Sequence, residues 1–161
     1  MNDQMTKVEE LTREAVKDVF KQMLGIEVNA EPPAPLPSDP LGQIIGSVGF
    51  IGDATGIIFL YAGVTFAVVM TGKMLGLDEK EVDTHEMVND AIGEISNMVV
   101  GHVKSHLCDA GLPCTLTIPS VVRGQELSVE GSAQTSRKTF GFRNCNHNLM
   151  VEIRLKEPVT S

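Results

Sequence analysis

The sequence predicts an α+β fold in which a long amphipathic helix packs on an antiparallel sheet. Three observations carry this. A helical apolar period runs from Asp83 to about Ala110, β-branched and aromatic residues alternate over 43–51 and 56–62, and strand-like segments return after Gly111. The order helix, hairpin, helix, long helix, strands is that of α+β layers. At 161 residues the chain is sized for one domain, 1–161, with its own apolar core.

Val8, Leu11, Ala15, Val19 and Met23 form one stripe at helical spacing, so 6–24 reads as a helix with Thr6-x-x-Glu9 as capping box and Gly25 as its stop. Residues 31–40 hold five of the eight prolines and read as an extended connector within the domain. The turn formers Gly52-Asp53-Ala54-Thr55 join the two alternating runs into a β-hairpin. A short helix over 65–75, ending at Gly76, and a charged loop over 78–82 follow. Asp83-x-x-Glu86 then opens the long helix as a second capping box, with His85 in its first turn. Strands are expected at 115–118, 127–130, 139–143 and 149–156, with His147 in the last turn between them. A helix precedes a set of strands on both sides of the chain's middle, the arrangement an internal duplication would give.

Composition excludes several function classes. Thirteen Lys and Arg against 21 Asp and Glu leave a formal charge of −8, which repels nucleic acid and anionic lipid. The longest apolar stretch, 56–71, is interrupted and short for a bilayer span, and the N-terminus lacks a signal-peptide pattern, so a cytoplasmic protein is expected. Cys108, Cys114 and Cys145 form no CxxC pair and read as free buried thiols rather than nucleophiles or zinc ligands. Gly46, Gly49, Gly52 and Gly56 are not followed by GK[ST] and read as bulges or close packing in the hairpin rather than a phosphate loop. His102 and His106, at i and i+4, have the spacing of a metal-chelating pair, but no third ligand accompanies them and both fall on the apolar side. No metal site is expected.

On the long helix, Val88, Ala91, Ile92, Ile95, Val99, His102, Val103 and His106 gather on one side, expected to face the core. Opposite them Asp90, Glu94, Asn97, Gly101 and Lys104 follow one another at steps of four and three, forming a narrow solvent-directed ridge. Gly93 and Gly101 each cost about 1 kcal/mol relative to Ala inside a helix. Their place beside Glu94 and Asn97 would clear the approach of a partner.

This pattern resembles the CheC/CheX/FliY family of chemotaxis phosphatases, and within it the CheX-like members. The likeness rests on Asp90, Glu94, Asn97 and Pro119, on the stretch from Ala91 to Met98, on Gly101, on Pro119-Ser120-Val121-Val122-Arg123-Gly124, and on VGFIGDATGIIFLY from Val48 to Tyr61. The resemblance implies a CheC-like layered fold and hydrolysis of the aspartyl phosphate on a CheY-type response regulator. It assigns Asn97 to orienting the attacking water and Glu94 to pairing with the regulator's lysine, with Asp90 as a rim contact or local support. An acyl phosphate is already activated and phosphoryl transfer needs mainly alignment and charge stabilisation, so so sparse a site suffices. The chain would need no cofactor of its own, magnesium being held by the receiver domain. Glu10-x-x-Arg13 and Glu14-x-x-Lys17 lack the amide of a second Glu-x-x-Asn, so one ridge per chain is expected. The resemblance also implies a homodimer joined along sheet edges. A rival reading is a noncatalytic adaptor or flagellar-switch-like module that binds a receiver domain through the same ridge.

Overall fold

The structure, a computed structural model, describes residues 3–131 and 135–157. Helix α1 (Asp3–Val19) runs on through a π-helical turn (Phe20–Leu24) and stops at Gly25, whose φ of 65° lets its N–H reach the Lys21 carbonyl. Strand β1 (Asn29–Glu31) precedes the proline-rich connector, and the hairpin is β2 (Gln43–Gly52) and β3 (Gly56–Gly63). Helix α2 (Val64–Leu75), a 3₁₀ turn (Glu79–Glu81) and helix α3 (His85–Asp109) come next. Strands β4 (Cys114–Leu116), β5 (Ser120–Gly124), β6 (Thr135–Asn144) and β7 (His147–Lys156) complete the order.

Several expected details move. Thr6 lies inside α1, which already begins at Asp3, so Thr6-x-x-Glu9 is not its opening box. Helix α3 is capped by Thr84, whose hydroxyl accepts the Met87 N–H at 3.1 Å, one residue beyond Asp83. The capping box sits instead at Asp78 and Glu81, turning the charged loop into a 3₁₀ turn. No strand forms at 127–130, whereas β5 and β1 form where alternation is weak.

Seven strands make one sheet in the order β1-β6-β7-β3-β2-β4, every pair antiparallel. Strand β5 shares β2's outer side with β4, end to end: Phe50 pairs with Leu116, and Ser47 with Ser120. Regular pairing lapses between them at 117–119: Thr117 still bonds to Gly49 of β2, and Pro119 has no N–H to give.

Because side chains alternate across a strand, Ile44, Val48 and Phe50 join the helices in one core while Ile45 joins Phe59 and Tyr61 on the opposite face. Leu36 of the proline-rich connector and Leu127 and Val129 after β5 pack over that second cluster. The charged groups buried on this face are Glu152 and Arg154, which are bonded to each other. Arg137 reaches the same carboxylate at 3.1 Å, the Tyr61 hydroxyl donates to it at 3.3 Å, and Arg154 donates to the Val129 carbonyl. Arg154 thereby ties the irregular segment after β5 to the sheet.

Gly46 accounts for how α3 seats on β2. A Cβ there would collide with the Ser96 hydroxyl and stand 2.9 Å from Ile92 Cγ2. Close packing of the hairpin glycines, as the sequence predicts, holds at this position. No helix among the described residues is long and apolar enough to cross a membrane.

Candidate active site

Helix α3 buries Val88, Ala91, Ile92, Ile95, Val99 and Val103 as its periodicity predicts, and adds Ser96, Val100 and Leu107. Ser96 is tolerated inside because its hydroxyl donates to the Ile92 carbonyl at 2.7 Å. With that face anchored on β2, the other face is fixed in rotation. Asp90 and Glu94 are exposed, and Asn97, Gly101 and Lys104 are half-buried along the same line. A carboxylate and a carboxamide at i and i+3 therefore stand side by side at the surface of a rigid helix.

The wall beside this ridge is the turn between β4 and β5. Gly93 is buried, and a Cβ built there would meet Val121 Cγ2 at 3.6 Å and Pro119 Cβ at 3.7 Å. The space beside Gly93 is thus bounded by this chain's own loop at ordinary contact distance, with room for a methyl group, rather than left open to a partner. At Gly101 a Cβ would reach Leu116 Cδ1 only at 4.0 Å. Pro119 is brought directly against the helix at the residue before Glu94.

Arg123 of β5 also belongs to this corner. Its Nη2 donates to Asn89 Oδ1 at 3.2 Å, tying the helix to β5 one residue before Asp90, while its Nε is buried without a partner among the described residues. Spacing along α3 does not reveal Arg123; the signal available was a single cation inside the half-apolar run 120–124.

The two α3 histidines are not core residues. His102 is half-buried and His106 exposed; their rings stack 4.8 Å apart, and His102 Nε2 lies 3.8 Å from Asp18 of α1. Among the described residues there is no cluster of three or more His, Cys, Asp or Glu able to hold a metal ion. The cysteines also differ from expectation, since Cys108 and Cys145 are exposed and only Cys114 is buried. Burial pushes the Cys114 thiol up, Cys108 adds to this and the Lys104 ammonium opposes it, the reverse of what activates a thiol nucleophile. His147 stacks on Phe66 at the start of β7, one residue beyond the turn expected to hold it.

The layered α+β scaffold, with a long helix packed on one antiparallel sheet, is a CheC-like fold. Residues 44–143 match the family model described as chemotaxis phosphatase CheX, and the chain belongs to that family. The CheY-P phosphatase CheX of Thermotoga maritima is 26% identical over 118 residues, covering 72% of this chain and 75% of that protein. Among solved structures, the chemotaxis protein CheX from Vibrio vulnificus superposes with a TM-score of 0.80 at 24% identity, covering 92% of this chain and 96% of that one. CheX in the CheX-CheY-BeF3-Mg+2 complex from Borrelia burgdorferi gives 0.75 at 20% identity, covering 93% and 98%.

Proposed function

We propose that this chain accelerates hydrolysis of the aspartyl phosphate of a CheY-type response regulator, ending a chemotaxis signal. The observation that carries the reading is the pair of exposed Glu94 and half-buried Asn97, side by side on α3 inside the region that matches the CheX family. Support comes from the relative named for CheY-P phosphatase activity and from the fold shared with a CheX solved in complex with CheY.

In this reading the Asn97 carboxamide oxygen accepts a hydrogen bond from a water and aligns it in line with the phosphoryl group. The water oxygen bonds to phosphorus, the bond from phosphorus to the aspartyl oxygen breaks, the receiver's aspartate carboxylate is regenerated, and inorganic phosphate leaves carrying the water's protons. Glu94 pairs with the receiver's lysine and fixes the docking. Asp90, Gly101 and Lys104 border the contact, with Gly93 between Glu94 and the β4–β5 turn. Magnesium belongs to the receiver domain, where it neutralises phosphoryl charge. The reaction then takes place in the cytoplasm.

A homodimer joined along a sheet edge is part of the proposal. Among the described residues, β6 from Ser136 to Phe140 pairs with β7 on one side and has no strand on the other.

The test is decay of the phosphorylated regulator with wild type and with Asn97→Ala. Acceleration by wild type, reduced about 100-fold or more in the variant with the complex retained, is expected by analogy with loss of a water-orienting group. Equal loss of binding and turnover would instead make the ridge a binding module.

A further inference from the structure

Ile118 is 88% exposed, more than any other large apolar residue described. A single exposed isoleucine is ordinary on a protein surface, and what sets this one apart is how firmly it is held. Immediately before it, the Thr117 N–H donates to the Gly49 carbonyl at 2.9 Å and the Gly49 N–H donates to the Thr117 hydroxyl at 2.8 Å. Thr117 is thereby committed to β2 through both backbone and side chain. Immediately after it, Pro119 disfavours helical conformations at Ile118 and rests against α3 at Gly93. Ser120 then re-enters the sheet opposite Ser47. Ile118 is therefore a large apolar side chain fixed in water between two anchors, on a turn that abuts the helix one residue before Glu94.

We propose that Ile118 is the apolar anchor of the regulator interface, seating in an apolar hollow of the receiver domain while Glu94 and Asn97 enter the phosphorylation pocket. This rests on the reading above and names a contact outside the ridge. Two features select the occupant. The turn is continuous with the ridge across Pro119 and Gly93, and Asp90 and Glu94 lie exposed beside it, which suits a partner surface that is apolar at its centre and basic at its margin. A pre-formed anchor needs little ordering on binding, so its burial is expressed in affinity.

The experiment measures binding of the full chain to a CheY-type regulator held in its active form by beryllofluoride and magnesium, using wild type, Ile118→Asp, Ile118→Leu and Asn97→Ala. Ile118→Asp is expected to weaken binding by about tenfold or more while leaving thermal stability and oligomeric state unchanged, and Ile118→Leu to restore most of it. In turnover, KM should rise with kcat preserved. Unchanged affinity of Ile118→Asp would overturn the proposal, as would a weakened complex accompanied by a change of oligomeric state, since a second copy of this chain would then be what covers Ile118. Failure of wild type to bind the regulator overturns it as well. If wild type binds but does not accelerate decay, and Ile118→Asp fails to bind, the catalytic reading falls and the anchor stands.

Discussion

Gly46 of β2 lies directly beneath Ser96 of α3, at a separation that leaves no room for a single added carbon. The helix carrying Glu94 and Asn97 owes its seat on the sheet to this contact. Gly46→Ala would place its Cβ against the Ser96 hydroxyl and 2.9 Å from Ile92 Cγ2, costing about 1–3 kcal/mol through overpacking. Thermal denaturation should show the loss, and Ser96→Ala in the same chain should recover part of it. Turnover should fall in Gly46→Ala because the ridge moves with the helix.

If Glu94 docks on the regulator's lysine as proposed, Glu94→Ala should raise KM roughly tenfold and flatten the salt dependence of regulator binding, the exposed carboxylate then supplying electrostatic attraction rather than chemistry. Steady-state kinetics at two ionic strengths checks this. An unaltered profile would remove Glu94 from the docking surface.

Gly93→Ala should stabilise the protein by about 1 kcal/mol, because helix propensity favours Ala and the new methyl meets Pro119 and Val121 at ordinary contact distance. A melting temperature higher by about 2–4 °C is expected.

Glu152 is almost fully buried with Arg137 and Arg154 directed at it. Glu152→Ala leaves buried guanidinium charge uncompensated and should cost about 3–5 kcal/mol, measured by urea unfolding. The segment after β5, held through Arg154, should lose hydrogen-exchange protection in the same variant.

Burial, reinforced by the Glu152 carboxylate, pushes the Tyr61 hydroxyl up to about 12 from its ordinary 10. The neutral phenol is thus favoured in the folded state, and the stability it confers is complete below pH 10 and is lost as pH rises through 12. Unfolding free energy should fall across that window in wild type and fall less in Tyr61→Phe, as denaturant titrations at stepped pH would show.

The elements easiest to read in the sequence were those whose pattern and hydrogen bonding coincide. The β2–β3 hairpin joins β-branched and aromatic runs with full pairing, and α3 has a sustained period whose rotation sets Asp90 and Glu94 outward with Asn97 half-buried beside them. Where pattern and pairing part, reading fails. Leu127 and Val129 alternate because they pack over the outer face of the sheet, yet they form no ladder there, while Val121, Val122 and Arg123 pair with β2 as a half-exposed edge strand without clear alternation. His102 and His106 fall on the predicted apolar arc, but burial along the last turns shifts to Val100, Val103 and Leu107. The ridge was legible because it lies on one helix; its wall at 117–123 is brought there by the sheet, and no spacing along α3 announces it.

The strand order has a consequence for synthesis. Every residue of the ridge and its wall lies before Gly124, yet β7, last among the described elements, is inserted between β3 and β6. Until it arrives, β3 presents an open edge from Gly56 to Ala62 and the apolar Phe140 and Phe142 of β6 have no neighbouring strand to join them to the sheet. A nascent chain emerging from the ribosome therefore displays all the chemistry of the site well before it owns the platform, and β7 is the keystone whose late arrival turns a list of residues into a surface.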